Sequence, residues 1–379
     1  MTKFAQPTAL SVVVPTHGRV DHLRRLMVSI SKACQKCDAS IEVIIVDDSP
    51  GEQQHQIERL CQDFGAVCLR GPSNVREKRN LGIKASCGQI ILFVDSDCEV
   101  SEGIFNEHMR VYSEQDTGGV LGITEFVGEE NYAWRIVKRT RLLDVCSFAK
   151  TLTKYVDSAP WAGANNLSVK KKVLEKIGGF DTSFPFLLGG DDTDLGIRIN
   201  KAGYKIRMNP NAIIFHSRET WNSLVSIARR AIRWGRMDYY IYFRKHKEKL
   251  SPSFIKPVAI FFFFTSIGVM KAVVSNFLSA VFLPLFWLTV FLLLNSILKL
   301  VSLGKSLKEL PLEIPAQLLH FLFNFGTAFE SLKNGNLSVF LKIPLSDPRQ
   351  VILLWDEKVR EAWSMIVSIL IVLLLLAVI

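Results

Sequence analysis

Three short apolar runs, Leu10–Val14, Ile41–Val46 and Ile90–Val94, punctuate the N-terminal half of the chain. They are rich in β-branched residues and too short for buried helices, so they read as strands of a sheet covered on both faces. Between them apolar positions recur at helical spacing: Leu23, Leu26, Met27 and Ile30, then Ile57, Leu60, Cys61 and Phe64. Strands alternating with amphipathic helices predict an α/β domain with a mainly parallel sheet. Such sheets bind ligands beyond the carboxyl ends of their strands. The segments expected there are Pro15-Thr16-His17-Gly18-Arg19, Asp47-Asp48-Ser49 and Asp95-Ser96-Asp97.

The pattern changes near Ser251. A run from 257 to about 274, with four consecutive phenylalanines at 261–264, is just long enough to span a bilayer; 276–298 has no charge, and 362–379 is apolar to the last residue. The stretch 315–332 differs. Gln317, His320, Asn324, Thr327 and Ser331 fall on one helical face and the remaining faces are apolar, which suits a helix lying in the membrane interface. The basic residues after it, among them Lys333, Lys342 and Arg349, favour the cytoplasmic side. The domain plan is therefore an α/β domain at 1–220, a basic amphipathic linker or interfacial helix at 221–252, and a membrane region at 253–379 with three spans and one interfacial helix. The linker carries Arg229, Arg230, Arg233, Arg236, Arg244, Lys245, Lys247 and Lys249. This collar reads as a positive-inside signal or as a contact for anionic head groups. An integral membrane protein with its α/β domain in the cytosol follows, in the inner membrane if the source is a bacterium.

Composition supports this division. At 379 residues, 49% hydrophobic and 22% charged, the chain is neither disordered nor a single small module. Its formal charge of +10 suits partners bearing phosphates or anionic lipids. The seven cysteines all fall between Cys34 and Cys146, and the polar start from Met1 to Pro7 does not resemble a signal peptide, so they are expected to be reduced thiols. Cys34-Gln-Lys-Cys37 with Cys61 and Cys68 has loose spacing for zinc. The signatures of dinucleotide oxidoreductases, P-loop ATPases and zincins are missing. A transporter would need ionisable residues inside its spans, and these offer only Lys271, near an end.

Two acidic clusters carry the chemistry. Asp95 and Asp97 follow a predicted buried strand, where paired carboxylates can hold a hard divalent cation that also takes diphosphate oxygens. Asp191-Asp192-Thr193-Asp194 follows Gly189-Gly190 and opens a helical pattern. Asp194 can pair with Arg198 and compensate the helix dipole. Asp191 and Asp192 are not needed for that, and neighbouring carboxylates raise one another's pKa toward that of a general base. Asp192 is the expected base, with Asp191 binding the acceptor.

From about Leu10 to Ser217 the chain resembles the nucleotide-sugar transferases of glycosyltransferase family 2, with the GT-A fold. The resemblance rests on Val-Val-Val-Pro-Thr, Val-Asp-Asp-Ser, Lys-Arg-Asn-Leu-Gly at 78–82, Val-Asp-Ser-Asp, and Gly-Gly-Phe-Asp at 178–181 leading to Gly-Asp-Asp-Thr-Asp-Leu, in that order. It implies a Rossmann-like mixed sheet in which Pro15, Thr16 and Arg19 line the nucleotide base and Asp48 accepts its imide hydrogen. It also implies that Arg79 approaches the nucleotide, Asp95 lies near the ribose or sugar, and Asp97 holds Mg or Mn, with His216 near the diphosphate or metal. The family's usual Glu-Asp is Asp191-Asp192 here. Arg230-Ala231-Ile232-Arg233-Trp234 resembles the Gln-x-x-Arg-Trp motif of processive members, in which the tryptophan stacks on an acceptor sugar; a basic amphipathic helix on the membrane is the alternative for Arg233 and Trp234. The expected activity is metal-dependent, inverting transfer of a hexosyl-type sugar from a nucleoside diphosphate to a lipid-linked or polysaccharide acceptor, in polysaccharide or glycolipid biosynthesis. The competing reading is a non-catalytic membrane-anchored scaffold or sensor that binds a sugar nucleotide.

Overall fold

The computed structural model describes residues 8–143, 146, 150, 153, 156–185, 189–252, 257–274, 278–340, 342–344, 363 and 365–370. The chain divides into two compact units, Met1–Glu129 with Asp144–Glu219, and Glu130–Leu143 with Thr220–Ile379.

The first unit begins β1 (Leu10–Thr16), α1 (Val20–Gln35), β2 (Ile41–Asp47), α2 (Gly51–Asp63), β3 (Val67–Arg70), α3 (Val75–Ala85) and β4 (Ile90–Val94). It continues with β5 (Cys98–Val100), α4 (Ile104–Arg110) and β6 (Thr117–Val127). After α5 (Tyr132–Thr140), which belongs to the second unit, come β7 (Asn166–Lys170), α6 (Lys171–Ile177), α7 (Asp191–Lys201) and β8 (Lys205–Ser217). The eight strands form one mixed sheet in the order β3-β2-β1-β4-β7-β6-β8-β5. β1 pairs in parallel with β2 and β4, whereas β7 enters antiparallel between β4 and β6.

The predicted helical faces are the ones buried: Leu23, Leu26, Met27 and Ile30 on α1, and Ile57, Leu60 and Cys61 on α2, pack against Val12, Val14, Ile45 and Leu92. Ladder pairing carries two strands past their apolar runs. β1 and β2 stay in register as far as Thr16 opposite Asp47, so the first site residues still belong to the strands. His108 on α4 anchors the antiparallel insertion. Its Nε2 donates to Asn166 Oδ1 at 2.9 Å, and its Nδ1 accepts from Ser168 Oγ at 2.9 Å. Asn166 in turn donates to the carbonyls of Ile123 (2.8 Å) and Ala212 (2.9 Å). Burial lowers the imidazole pKa to about 4, so this histidine is a neutral structural cross-link.

The second unit contains α5, α8 (Leu224–Asp238) running into a π-helical turn at Tyr239–Lys245, α9 (Pro257–Val274), α10 (Leu278–Ser302) and α11 (Leu310–Lys333). Its apolar core is built on Trp287, Phe264, Phe291 and Phe321. Among the described residues one helix segment, Phe282–Ser302, is long and apolar enough to cross a membrane, and Pro257–Met270 is apolar but shorter. The expected third span at 362–379 lies mostly outside the described residues; 365–370 are helical. The polar stripe of 315–332 faces protein in its C-terminal part, with Thr327 and Ser331 buried. Gln317, on the same stripe, bridges Asn295 (2.9 Å) and Glu313 (2.7 Å).

Two glycines let α8 and α11 cross in backbone contact. A Cβ on Gly235 would sit 1.8 Å from the Phe323 carbonyl oxygen, and one on Gly326 would sit 2.1 Å from that of Ile232. Gly235→Ala and Gly326→Ala should each force the helices apart and cost about 1–3 kcal/mol, read as a lower unfolding midpoint of the purified chain.

Candidate active site

The carboxyl ends of β1, β2 and β4 supply the site's floor, and α3 lies beneath it with three buried cations. Arg76, Lys78 and Arg79 are 1%, 5% and 6% exposed, an unusual cost for one short helix unless each charge is answered. Two are answered directly. Lys78 Nζ binds Asp48 Oδ1 and donates to the Thr16 carbonyl at 2.6 Å, tying the end of β1 to the acid after β2. His17 Nδ1 also lies 3.1 Å from Asp48 Oδ1.

Arg79 makes the connection on which the site depends. Its Nη2 donates to Asp95 Oδ1 at 3.0 Å and its Nη1 to Asp191 Oδ2 at 2.7 Å. One guanidinium thus joins two acidic motifs 96 positions apart in the chain. Burial alone would lower the pKa of Arg79; the carboxylates of Asp191 and Asp95 overcome that and keep it charged. Phe180 backs the guanidinium, with the Arg79 Cζ 5.2 Å from its ring centroid, and meets Phe93 edge-on at 5.1 Å. Asn80 exchanges two 2.8 Å hydrogen bonds with the Phe180 backbone. The Lys-Arg-Asn and Gly-Gly-Phe-Asp motifs are therefore two sides of one clamp. Gly179, at φ +66°, is part of it, since a Cβ there would lie 2.5 Å from Asn80 Oδ1.

Asp191 and Asp192 open α7 behind Gly189 and Gly190, whose φ values of +92° and +79° belong to glycine. The two carboxylates then part company. Asp191, 3% exposed, is held by Arg79 and has little to offer an acceptor directly. Asp192 keeps a partly exposed edge. It accepts from the Ala164 N–H at 3.3 Å and the Thr193 N–H at 2.8 Å. Desolvation, and next the Asp191 charge, raise its pKa to about 6 against the opposing pull of Arg79 and those two N–H groups. Asp194 pairs with Arg198 at 2.8 Å, as its helical spacing predicts.

Asp97 is 7% exposed. His216, at the end of β8, brings Nε2 to 3.5 Å from Asp97 Oδ1 and donates from Nδ1 to the Ser217 carbonyl at 2.9 Å. That bond fixes the tautomer and leaves the Nε2 lone pair on the Asp97 side, a donor set that fits a divalent cation. Cys98 lies within reach of both. Burial raises its thiol pKa well above the ordinary value and it packs in the apolar core, so it suits a hard cation less well than the oxygen and nitrogen ligands.

Other expected site residues fall as follows. Pro15 and Thr16 are buried at the end of β1. Arg19, expected at the nucleotide base, hydrogen-bonds Asp97 Oδ2 through Nη1. Arg233 and Trp234 belong to α8 of the second unit, where the Trp234 ring lies 6.0 Å from that of Trp221 and Arg230 sits 4.6 Å over Trp221. Sequence reading quoted Lys78 in a motif without giving it a role and missed Arg76. Arg76 lies 5.1 Å over the Phe184 ring, and its Nε and Nη2 are buried without a hydrogen-bond partner among the described residues. The only signal was three cations within four positions, on a helix that follows a strand.

Residues 11–178 match the family model described as Glycosyl transferase family 2. An uncharacterized glycosyltransferase of Bacillus subtilis is 25% identical over 259 residues, 56% of this chain and 65% of that one. The pre-mycofactocin glycosyltransferase of Mycobacterium tuberculosis is 25% identical over 264 residues, 66% of this chain and 51% of that one. The match thus spans about half to two-thirds of the length of these relatives. A solved mannosyltransferase from Pyrobaculum calidifontis, in complex with GDP-Man and Mn2+, superimposes with a TM-score of 0.54 at 16% identity, covering 86% of this chain and 89% of that one. The mixed sheet, the clamp between the acidic motifs and these likenesses converge: the first unit has the GT-A fold, and residues 11–178 match glycosyltransferase family 2.

Proposed function

We propose that the chain transfers a sugar from a nucleoside-diphosphate donor to a membrane-associated acceptor, lipid-linked or polymeric, with inversion at the anomeric carbon. The observation that carries this reading is the Arg79 bridge, which joins Asp191, the chain neighbour of Asp192 with its pKa of about 6, to Asp95 of the motif that ends in Asp97. Asp97 and His216 would hold Mg or Mn, and a cation there neutralises charge on the departing diphosphate. The bound Mn2+ of the archaeal mannosyltransferase supports that choice, and its GDP-Man supports a nucleotide sugar as donor.

Asp48, fixed by Lys78, would accept from the nucleotide base, with Pro15 and Thr16 beside it. Arg19 and Asp95 line the path from the base toward the sugar. Asp192 takes the proton of the acceptor hydroxyl as that oxygen attacks the face opposite the diphosphate; Arg79 and Asp191 position it. Helix α10 would cross the membrane, and Arg233 and Trp234 on α8 would offer a cation and a ring to an acceptor. The catalytic unit would then face the cytosol.

The test is thermal stabilisation of the purified chain by a panel of nucleotide sugars with Mn2+ or Mg2+, followed by transfer with the donor found. A true donor at a hundred times its Kd should stabilise by about 2.7 kcal/mol. Asp97→Asn should remove the metal-dependent part, and His216→Ala should weaken it about tenfold or more. With a base whose pKa is about 6, transfer should plateau above pH 7 and fall ~tenfold per unit well below 6. Transfer that is independent of both metal and pH would reject the assignment.

A further inference from the structure

The second unit holds a cavity of about 430 Å³ lined by Arg135, Lys138, Arg139, Arg141, Lys299 and Lys305. Two carboxylates, Glu130 and Glu313, share the lining. We infer that this cleft binds the phosphate of an anionic membrane lipid. The inference rests on the reading of α10 as a membrane-crossing helix, because Lys299 and Lys305 mark the end at which its apolar stretch stops.

The acids are already engaged. Glu313 takes Arg139 Nε at 2.6 Å and Lys299 Nζ at 3.3 Å, Glu309 takes Arg139 Nη1, and Glu130 lies 3.2 Å from Lys138 Nζ. Arg139 Nη2 is left buried with no hydrogen-bond partner among the described residues. Arg135 and Lys305 are exposed at the rim, with no carboxylate partner among those residues. Helix dipoles draw cations to C-terminal ends and account for Lys138, Arg139 and Lys299. They do not account for Arg135, in the middle of α5, or for Lys305, beyond α10.

Arg141 adds a separate observation. It caps α5 at φ +58°, a left-handed position that glycine would occupy without strain. The backbone gains nothing from an arginine there, while its side chain lines the cationic cleft. A lipid phosphate would meet a concave set of cations with one guanidinium nitrogen still unsatisfied, at the level where head groups begin.

The test titrates the detergent-purified full chain with dioctanoyl phosphatidic acid, dioctanoyl phosphatidylcholine and inorganic phosphate, following the thermal midpoint. Phosphatidic acid should raise the midpoint to saturation, phosphatidylcholine should not, and free phosphate should act only at much higher concentration. The R135A/K305A double variant should keep its lipid-free midpoint and need about tenfold or more additional phosphatidic acid. Arg141→Gly should keep or raise the lipid-free midpoint and lose response to the lipid. A wild-type titration in both variants, an equal response to phosphatidylcholine, or free phosphate as potent as the lipid would overturn the inference. A flat titration in a protein that sediments with membranes overturns the cleft alone; a chain that stays soluble without detergent overturns the membrane reading as well.

Discussion

Asp192→Asn is expected to lose about a hundred- to ten-thousandfold in transfer rate, the range a general base supplies, while donor and metal binding persist. The same substitution should make the protein more stable. Burial lifts the Asp192 pKa from 3.8 to about 6, so the folded state holds this proton more tightly than the unfolded chain. Its contribution to stability is therefore fully present below the unfolded pKa and is lost as pH rises through 6. Asparagine cannot ionise. The variant should gain about 1–2 kcal/mol at pH 8 and little at pH 4, part of the full effect being relieved by water at the exposed edge of the carboxylate. Denaturant midpoints of the two proteins at both pH values check this. A residue that is merely structural would lose stability on substitution, so the opposite sign identifies a carboxylate kept for chemistry.

Arg79→Met should have the largest structural effect in the first unit. It removes the one cation shared by Asp95 and Asp191, leaving Asp191 charged at 3% exposure, and a broken buried pair costs about 3–5 kcal/mol. Arg79→Lys keeps the charge and separates positioning from folding. A lysine cannot reach both carboxylates as a fork does. The variant should fold yet lose transfer, with the foot of its pH profile little displaced, because the positive charge that opposes the rise of the Asp192 pKa is retained. Wild-type transfer in a folded Arg79→Lys protein would mean that the guanidinium fork does not position the base.

Much of the first unit was legible in the chain itself. The strand runs Leu10–Val14, Ile41–Val46 and Ile90–Val94 and the buried faces of α1 and α2 follow from local periodicity, which needs no partner to be read. The acids at 191–194 fall on a first helical turn for the same reason. What escaped was pairing at long range. Nothing near Arg79 announces Asp191, 112 residues away, and nothing near Lys78 announces the Asp48 carboxylate or the Thr16 carbonyl that meet it. Residues 130–143 leave the first unit because α5 finds partners on α11, where Tyr132 donates to the Pro311 carbonyl at 2.7 Å. The polar stripe of α11 has a helical period, which fixes a face; whether that face meets water or protein depends on Asn295 and on the buried crossing with α8.

If the acids at 97 and 192 serve one reaction, a structure of the Asp192→Asn protein with Mn2+ and its donor should show both at the sugar. Mn2+ is expected on Asp97 and His216, the diphosphate against it, and the sugar between the metal and residue 192 with its reactive carbon facing the carboxamide. Mn2+ bound away from Asp97, or a sugar that residue 192 cannot approach even through an acceptor hydroxyl, would contradict a shared reaction.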